Sequence, residues 1–504
     1  MSAREDRLAG LALFALVALL AARHAAAQGE IPARPEELRF PPTTFTIPDA
    51  SAMHHRLRNG IVVLVDEDHT LPLARVTLAV TAGDLLDPPE RIGLAGITAA
   101  MLRRGGAGPW DAAAFDARAD RLAIDLDSIG ARRRSGVTLD SASAVLPEAL
   151  AMLAALVREP RFAPERLEVI RGNLGESLAR REDDPLAVLD REWLALLFGA
   201  ADTTDREMRP AHLAALTTEQ LAAFHRAHWR PDGAVIAVSG DVTAGEVVAT
   251  LDRLLGDWAV AGSAPPAPVA PPLPPPPASG VYLRDFAVPQ AKVFLGHRTG
   301  ARRGWDDPDE APLAVLVEVL GGDGAVSRLR RRLRAEEGIA YRARARISLG
   351  TEHPGALQLF LETDNRNAAR ALYLARAELL RVRDEPVPET ELRLAKRSLL
   401  DLFPLLFESA EERAGRFAED VLLGRPHEYW ASYRRRLEAV TAADVQAAAR
   451  RHLRPQDLVA VVVGDRARIL AGAREDSIAI DRLLGGLRTL PPRDPLTLEP
   501  RGGE

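Results

Sequence analysis

Few residues of this chain are of a type and spacing that could do chemistry, and what is missing narrows them further. There is no cysteine among 504 residues, so disulfides, thiolate metal sites, iron–sulfur clusters and a cysteine nucleophile are excluded. Any metal would need His, Asp or Glu. His54-His55 is the nearest histidine cluster, but adjacent side chains on a strand point to opposite faces and make no ready chelate. His225-x-x-His228 has the i, i+3 spacing of one helix face. It lies in a module that recurs later in the chain, and a structural role is expected for it. Leu320-Gly321-Gly322-Asp323-Gly324 lacks the Gly-Lys-Ser/Thr of a phosphate loop. The basic run Arg328, Arg330, Arg331, Arg332 and Arg334 has no interleaved aromatic platform and is closed by Glu336 and Glu337, so no nucleic-acid site is expected. One pair remains by rarity: Tyr341, one of five tyrosines, stands seven positions after Arg334.

The elements that must position these residues belong to a large globular chain. Hydrophobic residues make up 47% and charged residues 27%, enough for sizeable cores, and the net charge of −6 argues against chain-wide attraction to nucleic acid or acidic membranes. Lys292 and Lys396 are the only lysines among 65 Lys and Arg, so a single arginine carries little weight by itself. Arg4 and Arg7 precede the uncharged stretch 8–22, followed by Arg23 and Ala25-Ala26-Ala27, which is the layout of a secretory signal. The stretch falls short of the roughly 20 residues that span a bilayer. The expectation is a signal peptide over 1–27, cleavage after Ala27, no stable membrane anchor afterwards, and a periplasmic or secreted protein.

Between residues 264 and 277 nine of fourteen positions are proline, which excludes helix and central strand and predicts a stiff linker. The bodies on either side repeat one another. Thr217, Pro231 and Gly240 recur as Thr441, Pro455 and Gly464, each pair 224 residues apart. In both copies the Thr is an N-cap, the Pro opens an extended segment, and Gly-Asp turns the chain out of a buried strand. Strands are expected at 61–65 and 74–81, and helices at 146–157, 164–181, 309–320 and 367–383. The fold class is therefore α+β, two homologous halves, each an antiparallel-rich sheet with long helices covering one face. The expected order is an N-terminal extension 28–53, a first half 54–262, a Pro-rich linker 263–279, a second half 280–472 and a C-terminal tail 473–504.

Leu57-Arg58-Asn59-Gly60, a strand pair, and then Gly93-Leu94-Ala95-Gly96-Ile97-Thr98-Ala99-Ala100 resemble the first half of the pitrilysin/insulinase family of zinc peptidases. In that family Gly-Leu-Ala is followed by an inverted His-x-x-Glu-His motif, whose i and i+4 histidines ligate zinc while the Glu activates the bound water. The matching positions here are Gly96, Ala99 and Ala100, which can neither ligate nor accept a proton. The family's third ligand is a Glu on a later helix, and Glu176, ahead of Glu182-Asp183-Asp184, matches that position. One carboxylate cannot hold zinc, so no metal or other cofactor is expected in this chain. The stretch from Leu320 to Tyr341 resembles the segment of the family's second half that bears an Arg/Tyr pair. The resemblance implies that Arg334 and Tyr341 contact a bound peptide, the phenol donating to the scissile carbonyl.

The resemblance spans about 57–465 and departs at the metal motif. It implies a non-catalytic, substrate-binding subunit of an exported heterodimeric metallopeptidase, with zinc on a paralogous partner and extended peptides as substrates. Two other readings stay open: a catalytically silent scaffold or assembly protein without a peptidase partner, and a self-sufficient peptidase with other ligands.

Overall fold

The β-branched, apolar runs become strands and the capped amphipathic runs become helices. The computed structural model describes residues 34, 45–199, 206–259, 262–263, 273–300, 304–322, 327–350 and 354–501. The expected signal segment 1–27 and the linker residues 264–272 lie outside the described residues, as do 323–326 of the Gly-rich turn. In the first half run β1 (His54–Arg56), β2 (Val62–Glu67), β3 (Leu73–Val80), β4 (Asp125–Gly130), β5 (Ser135–Ala142) and β6 (Val235–Gly240). In the second run β7 (Gly280–Asp285), β8 (Gln290–Arg298), β9 (Ala340–Ile347), β10 (Ala356–Asp364), β11 (Val459–Gly464) and β12 (Leu487–Leu490). The four expected helices appear as Leu146–Arg158, Pro164–Ala179, Glu310–Gly321 and Ala368–Asp384.

The duplication is visible in the strand order. One sheet runs β1-β2-β6-β3-β5-β4 and the other β12-β7-β11-β8-β10-β9, so five strands of each match in order. They match in direction too: β2 with β6 and β7 with β11 are parallel, and the remaining pairs among those five are antiparallel. The repeated helices Thr218–His228 and Ala442–His452 both begin with reciprocal capping boxes, Thr217 with Gln220 and Thr441 with Asp444.

The expectation of helices on one sheet face is met and then exceeded. Strand β11 is buried along its whole length and β6 at five of six residues, so both faces of each sheet must be covered. The second cover is exchanged between the halves. Helix Pro185–Phe198 of the first half packs on β8 and β11 of the second sheet, where Trp193 meets Phe294 edge-on at 5.6 Å. Its counterpart, Ala410–Leu423, packs on β2 and β6 of the first sheet. Arg413 of that helix donates to both oxygens of Asp66 on β2 at 2.6 and 3.2 Å, and Glu411 pairs with Arg75 on β3. This exchange makes Ile47–Glu504 one compact unit despite its two sheets.

Of the expected C-terminal tail, 473–504, the described residues 473–501 reach both halves. Strand β12 adds to β7, and beyond it Arg493 donates to the buried Glu192 of the exchanged helix at 2.5 and 2.9 Å. That bond joins residues 301 apart in the chain, which local patterning does not register.

Truncating Trp193, which is 2% exposed, to Ala removes the centre of the exchanged contact and should cost about 3–5 kcal/mol. Urea denaturation should show one transition for both halves, shifted to lower denaturant in Trp193→Ala. Two separated transitions in the unsubstituted protein would show that the exchange does not couple the halves.

Candidate functional site

The helix that bears the expected metal positions, Leu94–Arg104, is held at its start by an unusual cap. Gly93 adopts φ +95°, a left-handed conformation that disfavours other residues, and a Cβ there would fall 1.9 Å from Met208 Cε. The carboxylate of Asp87 accepts from the amides of Gly93 at 2.7 Å and Ala95 at 2.8 Å, so a buried acid six residues upstream serves the helix N-terminus. Asp87 is 1% exposed. Burial pushes its pKa up to about 7, against the lowering effect of the two amide donors. Asp84 is also pushed up by burial, opposed by the nearby Arg132.

Gly96 and Ala100 line a cavity of about 580 Å³ beside this helix, together with Asp84, Arg104, Arg132 and Asn173. Ala99 faces the protein interior instead and is fully buried, near the close approach of Gly130 to Gly96. Glu176 is exposed on the Pro164–Ala179 helix, whose contribution to the cavity wall comes from Ile170, Asn173 and Leu174. The donor set does not fit zinc: two positions have no ligating atom, and the carboxyl groups present are engaged with the helix backbone or faced by arginine. Among the described residues no group of three or more His, Asp or Glu is placed to hold a metal ion.

Arg334 and Tyr341 are brought together elsewhere. The helical turn Arg328–Arg330 continues as a wider π-helical segment, Arg331–Glu336, anchored by the buried Leu333. Gly338, at φ +66°, turns the chain into β9. There Glu362 pairs with Arg342 and Thr363 with Ala340, leaving Tyr341 as the extra residue of a β-bulge. The bulge turns the ring outward, 68% exposed, and the Arg334 guanidinium sits 5.2 Å from its centroid. Neither residue lines the Gly96 cavity.

The histidines behave as structural groups. His225 is buried with Nε2 at 2.9 Å from the Val157 carbonyl, and burial lowers its pKa to about 4. His228 lies against Phe224, and His452 Nε2 is 2.7 Å from Asp309. Arg328 is buried and donates to Glu391 at 2.8 Å, so it braces the π-helical turn from inside. Reading the sequence missed Asp84, Asp87, Arg132 and Arg206 around the cavity. The one available signal was Asp84 and Asp87 shortly before Gly93-Leu94-Ala95, acids near a helix start.

The family described as "Insulinase (Peptidase family M16)" matches residues 62–197, and "Peptidase M16 inactive domain" matches 215–399. A Mycobacterium tuberculosis protein named an uncharacterized zinc protease is 30% identical over 320 residues, covering 63% of this chain and 72% of its own length. A Helicobacter pylori protein named non-peptidase homolog YmxG is 24% identical over 428 residues, covering 83% and 95%. The crystal structure of a peptidase M16 inactive domain from Pseudomonas fluorescens superposes with a TM-score of 0.71 at 23% identity, covering 82% of this chain and 97% of that one.

Two outcomes follow for the cavity. Metal analysis of the purified protein after dialysis should find no stoichiometric zinc, and one tightly held zinc per chain would overturn the reading of Gly96 and Ala100. The neutral form of Asp87 is favoured by folding, so its contribution to stability is full below about pH 4 and is lost as pH rises through about 7. Unfolding free energy should therefore fall between about pH 4 and 7, by an amount on the order of a few kcal/mol, and the fall should shrink in Asp87→Asn. An unchanged slope in that variant would assign the effect to other groups.

Proposed function

The chain belongs to peptidase family M16, and we propose that within it this protein is the non-catalytic, exported subunit of a heterodimeric peptidase, holding extended peptides for a zinc-bearing paralogue. What supports the reading is the contrast between the two half-sites. The metal positions are Gly96, Ala99 and Ala100, whereas Arg334 lies over an outward-facing Tyr341 on a bulge. An exposed aromatic held at a strand edge by a bulge and a cation is a contact surface, and among the described residues no group of His, Asp or Glu is placed to hold a metal beside it.

In that role the partner would supply the metal that activates water. Tyr341 donates its hydroxyl proton in a hydrogen bond to the peptide carbonyl oxygen, and that bond strengthens as negative charge develops there. Arg334 orients the phenol through its stacked guanidinium and adds a fixed positive charge beside the same oxygen. The expected compartment is the periplasm or the exterior, on the N-terminal signal pattern of residues 4–27.

The test is steady-state kinetics of the reconstituted heterodimer. Tyr341→Phe should leave assembly intact by size-exclusion chromatography and lower kcat about 100- to 1000-fold. Arg334→Ala should act more on KM, its charge being present before and during reaction. An assembled Tyr341→Phe complex with unchanged kcat and KM would sink this reading and favour a scaffold of the same fold.

A further inference from the structure

The cavity left at the metal positions is larger than a packing defect and smaller than a peptide channel. At about 580 Å³ it falls in the range of small-ligand pockets, whereas voids inside protein cores rarely exceed a water molecule. Its apolar lining comes from Ile97, Ile170, Leu174 and Met208, and the absent side chain of Gly96 and the small one of Ala100 leave the helix side open. The Met208 methyl lies against the Gly93 backbone at one end. Three arginines, Arg104, Arg132 and Arg206, also border the space.

The charges are unevenly matched. The Asp87 carboxylate is committed to the Gly93 and Ala95 amides and takes no further part. Arg132 faces Asp84, and Arg206 donates to the Asp87 backbone carbonyl, a neutral group. Arg104, exposed at the C-terminal end of the Leu94–Arg104 helix, has no carboxylate partner among the described residues. An apolar pocket with surplus guanidinium at its border recognises an apolar group beside an anion. The smallest peptide feature with both on one Cα is a C-terminal Leu, Met or Phe.

We propose that this cavity is a socket for the C-terminal residue of a peptide, the apolar side chain entering among Ile97, Ile170 and Leu174 and the terminal carboxylate meeting Arg104. The proposal rests on the reading of the chain as a peptide-holding subunit and gives that reading a substrate class: peptides with a free carboxyl end and an apolar last residue. Loss of the metal ligands then did more than silence a site. It cleared the helix face that the incoming side chain covers.

Methyl NMR of the intact protein tests this directly, because the chain has only five methionines and one of them lines the cavity. The protein is labelled at methionine methyls, Met208 is assigned with Met208→Leu, and three probes are titrated: N-acetyl-Ala-Ala-Leu as the free acid, the same peptide as its amide, and N-acetyl-Asp-Leu amide. The free acid should shift the Met208 signal saturably and bind about tenfold or more tightly than either amide. Arg104→Ala should remove most of that preference, and Ala100→Trp, which fills the space, should abolish the shift. No shift at millimolar peptide, equal affinity for acid and amide, or a shift that survives Ala100→Trp would overturn the socket. Tighter binding of the Asp-Leu amide would overturn the terminal-carboxylate assignment in favour of an internal acidic segment. Because the readout needs no partner subunit, it fails independently of the Tyr341 kinetics: a lost Met208 shift with intact Tyr341 dependence removes the socket alone.

Discussion

The structure depends on one constraint: each sheet is too apolar on both faces to stand with one side open. Strands β6 and β11 are buried along nearly their whole length, and the local helices cover only one face. The other face is closed by the corresponding helix of the opposite half, Pro185–Phe198 on β8 and β11 and Ala410–Leu423 on β2 and β6. Burying an aromatic such as Trp193 or Phe417 is worth a few kcal/mol, so separating the halves would expose two such faces at once. The exchange therefore sets the halves in register. It also places Arg132, between β4 and β5, on the border of both the Gly96 cavity and a second cavity of about 710 Å³ lined from both halves by Trp193, Leu313 and Tyr433.

Loss of a metal site need not loosen the element that carried it. The Leu94–Arg104 helix is held by its buried side, with Leu94, Ala95, Ile97 and Met101 in the core, and by the Asp87 cap at its start. Gly96 and Ala100 stand on the open face of the helix, while these buried residues and the cap hold it from the other side. The Arg334–Tyr341 pair is maintained by different means: a π-helical turn, a left-handed glycine and a bulge, each a local departure from regular structure that must be held by its surroundings. Leu333 below and the Arg328–Glu391 bond supply that support. One half-site thus carries Gly96 and Ala100 on a helix capped by a buried acid, and the other turns Tyr341 outward.

What could be read from the sequence was what short-range rules govern. The capping residues Thr217 and Thr441, the strand and helix periods, and the repeat from Thr217 to Gly464 are all local patterns, and each led to the right element. The identity of residues 96, 99 and 100 was equally plain, since an absent ligand needs no coordinates. The helix exchange was not legible because both candidate covers for a sheet look alike in amphipathic pattern, and only the tertiary fold chooses between them. The Asp87 cap escaped because capping signatures place the acceptor within three residues of the amides it serves, not six to eight before them. Glu176 illustrates the converse: its spacing matched a ligand, while the helix turns Ile170, Asn173 and Leu174 toward the cavity.

The charges at the exchange also explain why unlike halves pair. Ser239 and Val463 are equivalent by the repeat, and their cross-strand partners are Asp66 and Arg284, so one strand position carries opposite charge in the two sheets. Asp66 is met by Arg413, and Arg284 by Glu182 at 3.2 Å. The helix caps Asp184 and Gly199 correspond to Ser409 and Gly424, which makes Val188 the counterpart of Arg413 and Phe407 that of Glu182. If a first-half helix lay on its own kind of sheet, Val188 would face Asp66 and leave a buried carboxylate alone. A second-half helix on its own kind of sheet would bring Arg413 and Phe407 to Arg284, setting two guanidinium groups together. A buried charge without its partner costs several kcal/mol, more than most single packing changes. With Asp at this position in one half and Arg in the other, the cross-paired arrangement is the one in which both charges find partners, and that arrangement is what holds the cavity and the bulged strand in a single body.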